Sequence, residues 1–179
     1  MTYSSAVTVS DEFVVKMSAN ETATETIGDT KKFWFMSSIP IPSYLLALVV
    51  GNLETRVLGR RTTVTAEPEQ IEAAAWEMSE LDLYLDRTEA YLTPYIWGKY
   101  NVLILPPSCP NGAMENPLLT TTSPTAIVGD KSQASLSIHE IAHSWFGNTV
   151  TNQNWEDFWL NEGFAVFIER QIDAEIYGE

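Results

Sequence analysis

His139-Glu140-Ile141-Ala142-His143, inside the segment 132–146 (SQASLSIHEIAHSWF), is the stretch whose reading decides the fold. Leu136, Ile138, Ile141, Ala142, Trp145 and Phe146 supply apolar surface at helical spacing, so 132–146 reads as an amphipathic helix with Gly147 as its stop. Residues four apart lie one turn along and on nearly the same face, so His139 and His143 can address one ion. Glu140 is turned about 100° around that helix, too far to share the ion and near enough to reach its water. Eighteen residues (144–161) separate His143 from Glu162, the candidate third ligand. Two histidines, one carboxylate and one open position make a standard catalytic zinc site, with one Zn2+ per chain. Such an ion lowers the pKa of its water to about 7, and Glu140 can take the proton as that water attacks a carbonyl. The chain has only two histidines, both in this segment, so no second histidine cluster competes. The plain alternative is a pair of core histidines satisfied by hydrogen bonds, with Glu162 a solvated carboxylate.

Glu162 opens a second helical stretch, 160–178, in which Phe164, Val166, Phe167, Ile168, Ile172 and Ile176 are the apolar content. Glu169, seven residues on, returns to the face of Glu162 and can hydrogen-bond a ligand histidine.

Three spaced motifs carry a resemblance. The segment 139–148 (HEIAHSWFGN), the segment 159–164 (WLNEGF) and Gly112-Ala113-Met114-Glu115-Asn116 together resemble the gluzincin aminopeptidases, whose exopeptidase motif G-x-M-E-N precedes the zinc helix. The segments 40–54, 95–100 and 105–108 look most like the leukotriene hydrolase and aminopeptidase B branch, and the likeness runs from about Thr2 to Glu179. It implies a zinc-dependent aminopeptidase acting on peptides with a free N-terminus. Glu115 would hold the substrate's α-amino group, and the backbone of Gly112, Ala113 and Met114 would lie along the peptide as an edge strand. A fixed carboxylate offsets the desolvation of a cationic amine, which agrees with that role. Read from residues alone, Glu115 is a surface loop glutamate between an Asn-Gly turn signal and Pro117.

Departures from the branch are expected to matter. Ala113 stands where the branch has glycine, which ranks peptide hydrolysis above lipid epoxide hydrolysis, a third reading. Cys109 and Asn111 replace aromatic residues beside the motif, so side-chain preference is open. The family's oxyanion-steadying tyrosine falls several dozen residues past the zinc glutamate, beyond Glu179. A zinc-binding fragment with little turnover therefore stands as the alternative reading.

A net charge of −14 argues against nucleic acid and anionic membrane as partners and favours cationic peptide termini. The single cysteine, Cys109, forbids an intramolecular disulfide, and residues 1–13 have neither a basic n-region nor an apolar h-region. A cytoplasmic location is expected. The apolar run 44–50 falls far below the roughly 18 residues of a transmembrane helix.

Residues 2–58 read as β-rich: 2–10 and 13–15 as strands, 19–32 as a polar loop, then 33–39 and 44–54 as strands. After the β-branched 61–65, Pro68 opens one long helix to about Leu92, with Ile71, Ala74, Ala75, Met78, Leu81 and Leu85 at helical spacing. A strand follows at 100–105. By the resemblance the class is α+β, with 1–58 the C-terminal part of an N-terminal β-saddle domain and 59–179 the first part of a thermolysin-like catalytic domain.

Overall fold

The computed structural model describes residues 1–109 and 112–178, and Asn111 lies outside them. Two layers of sheet precede the helices. β1 (Tyr3–Ser10), β4 (Thr30–Ser37) and β3 (Asn20–Ile27) form an antiparallel sheet in the order β1-β4-β3, and β2 (Val14–Met17) pairs with β5 (Leu48–Gly51). Val15, Met17, Ala19, Phe33 and Phe35 fill a small core between them.

The expected polar loop 19–32 is instead most of a hairpin. Ile27 pairs with Thr30 across a two-residue turn in which Gly28 takes φ +63°, a conformation glycine accepts without strain. β3 is exposed along its whole length. It therefore carries no apolar alternation for a sequence reading to detect, and its alternate threonines are good strand formers on a solvated face. Glu25 lies opposite Lys32, and the Lys32 ammonium sits 5.0 Å from the Trp34 ring centroid. The expected strand 44–54 also divides, into a 3-10 turn at Ser43–Leu45, then β5, then β6 (Glu54–Val57).

β6 belongs to the second sheet, of order β6-β7-β8-β10-β9, with β7 (Thr62–Ala66), β8 (Tyr100–Ile104), β9 (Ala113–Met114) and β10 (Thr120–Thr122). The division expected after residue 58 thus falls inside the β6–β7 hairpin. β7, β8 and β10 run parallel, while β6 and β9 are antiparallel edges. Asp82 fastens the β6–β7 turn: its carboxylate accepts from the N–H groups of Arg60 and Arg61 and from the Thr62 hydroxyl. A Cβ on Gly59 would lie 2.2 Å from the Asp82 carboxyl carbon, so glycine is required there.

The single helix expected over 68–92 is two, α1 (Ile71–Glu77) and α2 (Leu81–Tyr91). Ser79 closes the first by donating from both its N–H and its hydroxyl to the Trp76 carbonyl, a local bond that competes with helix continuation. Glu77, buried, accepts from the N–H groups of Gly129 and Lys131. The apolar spacing survives the break because both helices face the same core, α1 against β6 and β7 and α2 against α3 and α4, with Ile71, Ala74, Met78, Leu81 and Leu85 inside it.

α3 (Ala134–Ala142) is shorter than the expected 132–146. Beyond it the chain tightens, with Ser144 N–H bonded to Ile141 and Trp145 N–H to Ala142. α4 (Trp159–Tyr177) ends at Gly178 in the left-handed region, φ 79°. Asn161, Ala165, Ile168 and Ile172 form its buried stripe against α3, where Ile138 and Ile141 are fully buried. Phe164, Val166 and Phe167, expected as apolar content, are exposed and make an apolar face with Trp159. No helix among the described residues is long and apolar enough to cross a membrane.

Ile172→Ala should lower unfolding stability by about 2–5 kcal/mol through the cavity it leaves. Phe167→Ser, on the exposed face, should change it by less than about 0.5 kcal/mol. Urea midpoints of the two variants check the assignment of inward and outward faces, and similar losses from both would contradict it.

Candidate metal and substrate site

The α3–α4 packing puts three ligand atoms into a small triangle. His139 Nε2 and His143 Nε2 are 3.0 Å apart, and Glu162 Oε2 is 3.4 Å from the first and 3.5 Å from the second. For zinc–nitrogen and zinc–oxygen bonds of about 2.0–2.2 Å, the edge of a tetrahedron is about 3.3–3.6 Å. The triangle is therefore close to one face of a tetrahedral ion, with the His139–His143 edge the shortest. These residues are the one group of three or more metal-ligating side chains found among the described residues.

Hydrogen bonds on the far side of each ring settle the tautomers. His139 Nδ1–H donates to Glu169 Oε2 at 3.0 Å, and His143 Nδ1–H donates to the Phe146 carbonyl at 2.9 Å. A carbonyl and a carboxylate can only accept, so each Nδ1 carries a proton and each Nε2, once deprotonated, presents its lone pair to the triangle. Two lone pairs at 3.0 Å repel unless a cation or a proton sits between them. Glu169 occupies the position the helical period anticipates, one face with Glu162 and in contact with His139.

Glu140 stands apart from the triangle, 7% exposed, with Oε2 buried and without a hydrogen-bond partner among the described residues. Burial pushes its pKa up to about 8; nearby His143 works against this, and the Glu115 and Glu162 charges add to it. For His143 burial works downward, but its bond to Glu162 and the Glu115 and Glu140 charges outweigh that and raise it to about 9. The His143 bond in turn holds Glu162 below the ordinary carboxylate range. Glu115, Glu140 and Glu162 gather around two imidazoles with no Lys or Arg ion pair among the described residues, an arrangement that a divalent cation would neutralise.

Glu115 is where the structure differs most from a residue-only reading. It follows β9, the sheet's edge strand, in a loop, yet it is 5% exposed and its Oε1 is buried without a partner among the described residues. Gly112, Ala113, Met114 and Glu115 line one cavity of about 480 Å³ together with His139, Glu140, His143 and Glu162. All the residues singled out for metal, base and amine thus border one space, and Glu169 supports it from behind.

Two further residues escape a residue-only reading. Phe158 lines the same cavity and stacks on Trp155, 4.6 Å between centroids, and Trp155 meets Tyr44 edge-on at 5.1 Å. Asn148, 4% exposed, donates from Nδ2 to the Glu115 carbonyl at 2.8 Å. Nothing in the spacing marks Phe158. Asn148 stood in plain view at the end of the histidine motif, but its partner lies 33 residues away.

Comparison with known proteins agrees with this geometry. Residues 76–179 match the Peptidase family M1 domain. The chain is 50% identical over 181 residues to leukotriene A-4 hydrolase of Xenopus laevis, covering 99% of this chain and 30% of that protein. It is 48% identical over 178 residues to aminopeptidase B of Mus musculus, covering 99% and 27% respectively. The solved structure of native yeast LTA4 hydrolase superposes with a TM-score of 0.89 at 35% identity, covering 99% of this chain and 28% of that one. The chain thus spans about three tenths of the length of these relatives. With the histidine helix, the glutamate helix and the edge-strand motif all inside the aligned region, the chain belongs to peptidase family M1.

Proposed function

We propose that this chain carries the metal, base and amine-binding residues of a zinc aminopeptidase, which removes the N-terminal residue of a peptide. The observation that carries the reading is the single cavity in which the His139, His143 and Glu162 triangle faces Glu115 and Glu140, each with a buried oxygen that has no hydrogen-bond partner among the described residues. We also propose that residues 1–51 are the tail of an N-terminal β-domain and that the five-stranded sheet with α1–α4 begins the catalytic domain.

Zinc, when bound, would polarise the scissile carbonyl and acidify water at the open position. Glu140, buried beside the triangle, would take the proton from the attacking water and deliver it to the departing amine. Glu115 holds the α-ammonium by a charge-assisted hydrogen bond whose strength is preserved by exclusion of water. Ala113 and Met114, on an edge strand with free backbone groups, can pair with the extended substrate. The two relatives carry different names, leukotriene A-4 hydrolase and aminopeptidase B. Peptide hydrolysis is favoured here because Glu115 is buried with an unmet oxygen, which an amine satisfies and an apolar lipid does not.

Glu140→Gln should leave zinc content at one ion per chain while lowering hydrolysis of an aminoacyl amide dye by at least about 100-fold. Metal analysis beside the assay decides the point: a variant that loses its zinc would show Glu140 to be structural. Glu169→Gln should weaken zinc binding by about 10- to 100-fold, read by competition with a chelator, since Glu169 fixes the His139 ring and tautomer.

The pH dependence of the metal-free chain follows in sign. Glu140 and His143 both have folded pKa values above their unfolded ones, so each stabilises the fold fully below its unfolded value and loses that contribution as pH rises through about 8 and about 9. Thermal stability of the metal-free protein should fall between pH 6 and pH 9, more shallowly in Glu140→Gln. Zinc uptake near pH 7 should release protons into weakly buffered solution.

A further inference from the structure

The distance between the amine anchor and the metal decides which peptide bond is presented for cleavage, so something must hold Glu115 at a fixed separation from the histidines. β9 is too short to do this. It has two residues, Ala113 and Met114, paired only to β10, and Glu115 lies just past its end. The chain then turns, with Leu119 N–H bonded to the Asn116 carbonyl and Leu118 at φ 65°. Asn101 Nδ2 holds the far end of this turn through the Leu118 carbonyl.

The near end is held from the metal side. Asn148 Nδ2 donates to the Glu115 carbonyl at 2.8 Å, and the Asn148 N–H donates to the His143 carbonyl at 3.0 Å. One buried residue therefore bonds both the backbone of a ligand histidine and the backbone of the amine-binding glutamate. The side-chain orientation is fixed by chemistry, because the Glu115 carbonyl can only accept and the amide must offer it nitrogen. Gly147 makes the approach possible: at φ 128°, with His143 Nδ1 only 3.3 Å from where a Cβ would stand, the chain turns back sharply from α3.

We propose that Asn148 is a positioning residue that sets the reach of Glu115 from the metal and so the one-residue register of the exopeptidase. This rests on the aminopeptidase reading of Glu115. Asn148 touches neither metal nor substrate in this role; it acts through the Glu115 backbone. Removing the donor leaves a buried carbonyl without its partner, and the loop relaxes by shifting the carboxylate. The effect should therefore fall on recognition of the amine and spare metal binding.

The test compares two zinc-binding probes, leucine hydroxamate and its counterpart without the α-amino group, binding to the zinc-loaded protein by calorimetry. Wild type should prefer the amine-bearing probe, and Glu115→Gln should abolish that preference without changing affinity for the other. Asn148→Leu and Asn148→Asp, both close in volume and both lacking the donor, should shrink the preference by about tenfold, a difference of about 1.4 kcal/mol. Affinity for the amine-free probe and zinc stoichiometry should stay at the wild-type value within about twofold. An unchanged preference in both variants overturns the role of Asn148 and leaves Glu115 as the anchor. Parallel loss of both probes, or loss of zinc or folding in both variants, also overturns it, by making Asn148 a general support. Absence of any preference in wild type overturns the reading of Glu115 itself, and the proposal with it.

Discussion

Everything at the site depends on the packing of α3 against α4. The stripe Asn161, Ala165, Ile168 and Ile172 meets Ile138 and Ile141 in a core without exposed atoms to spare. Apolar burial of this kind is non-directional, but close packing makes it positionally strict: a shift of one helix by a fraction of a turn would open a void or a clash. Glu162 lies beside that stripe on α4, and the histidines lie on the facing turn of α3. The core thus sets the ligand triangle to within a few tenths of an ångström of a tetrahedral face.

Dehydration is the second consequence of the same packing. Glu140, His143 and Glu115 are all almost wholly buried. Burial raises the Glu140 pKa directly, while the bond to Glu162 and the neighbouring carboxylate charges hold the His143 imidazole well above its usual value despite its burial. Such a site is costly without a cation. The backing bonds from Glu169 and the Phe146 carbonyl stabilise the tautomers that present lone pairs to one.

The exposed apolar face of α4 contrasts with this. Trp159, Phe164 and Phe167 look outward from the helix whose other side is fully packed. A helix apolar on more than one face is one suited to burial on more than one face. The reading of 160–178 as apolar was correct in content and silent about direction.

What the amino-acid order determined by itself was local chemistry at helical distance. His139 and His143 fall on one helix face because four residues make about one turn, and Glu169 follows Glu162 because seven make two. Strands with alternating apolar residues were equally legible, whereas β3 was hidden because both its faces are wet. The break between α1 and α2 was hidden because its causes, the Ser79 bonds and the reach of Glu77 to the 129–131 loop, are not apolar periodicity. Only the tertiary structure decided that Glu115 is buried, that Phe158 borders its cavity, and that Asn148 ties it to His143. Those facts depend on contacts between residues tens of positions apart, which hydrophobic burial and sheet order create and which no local spacing encodes.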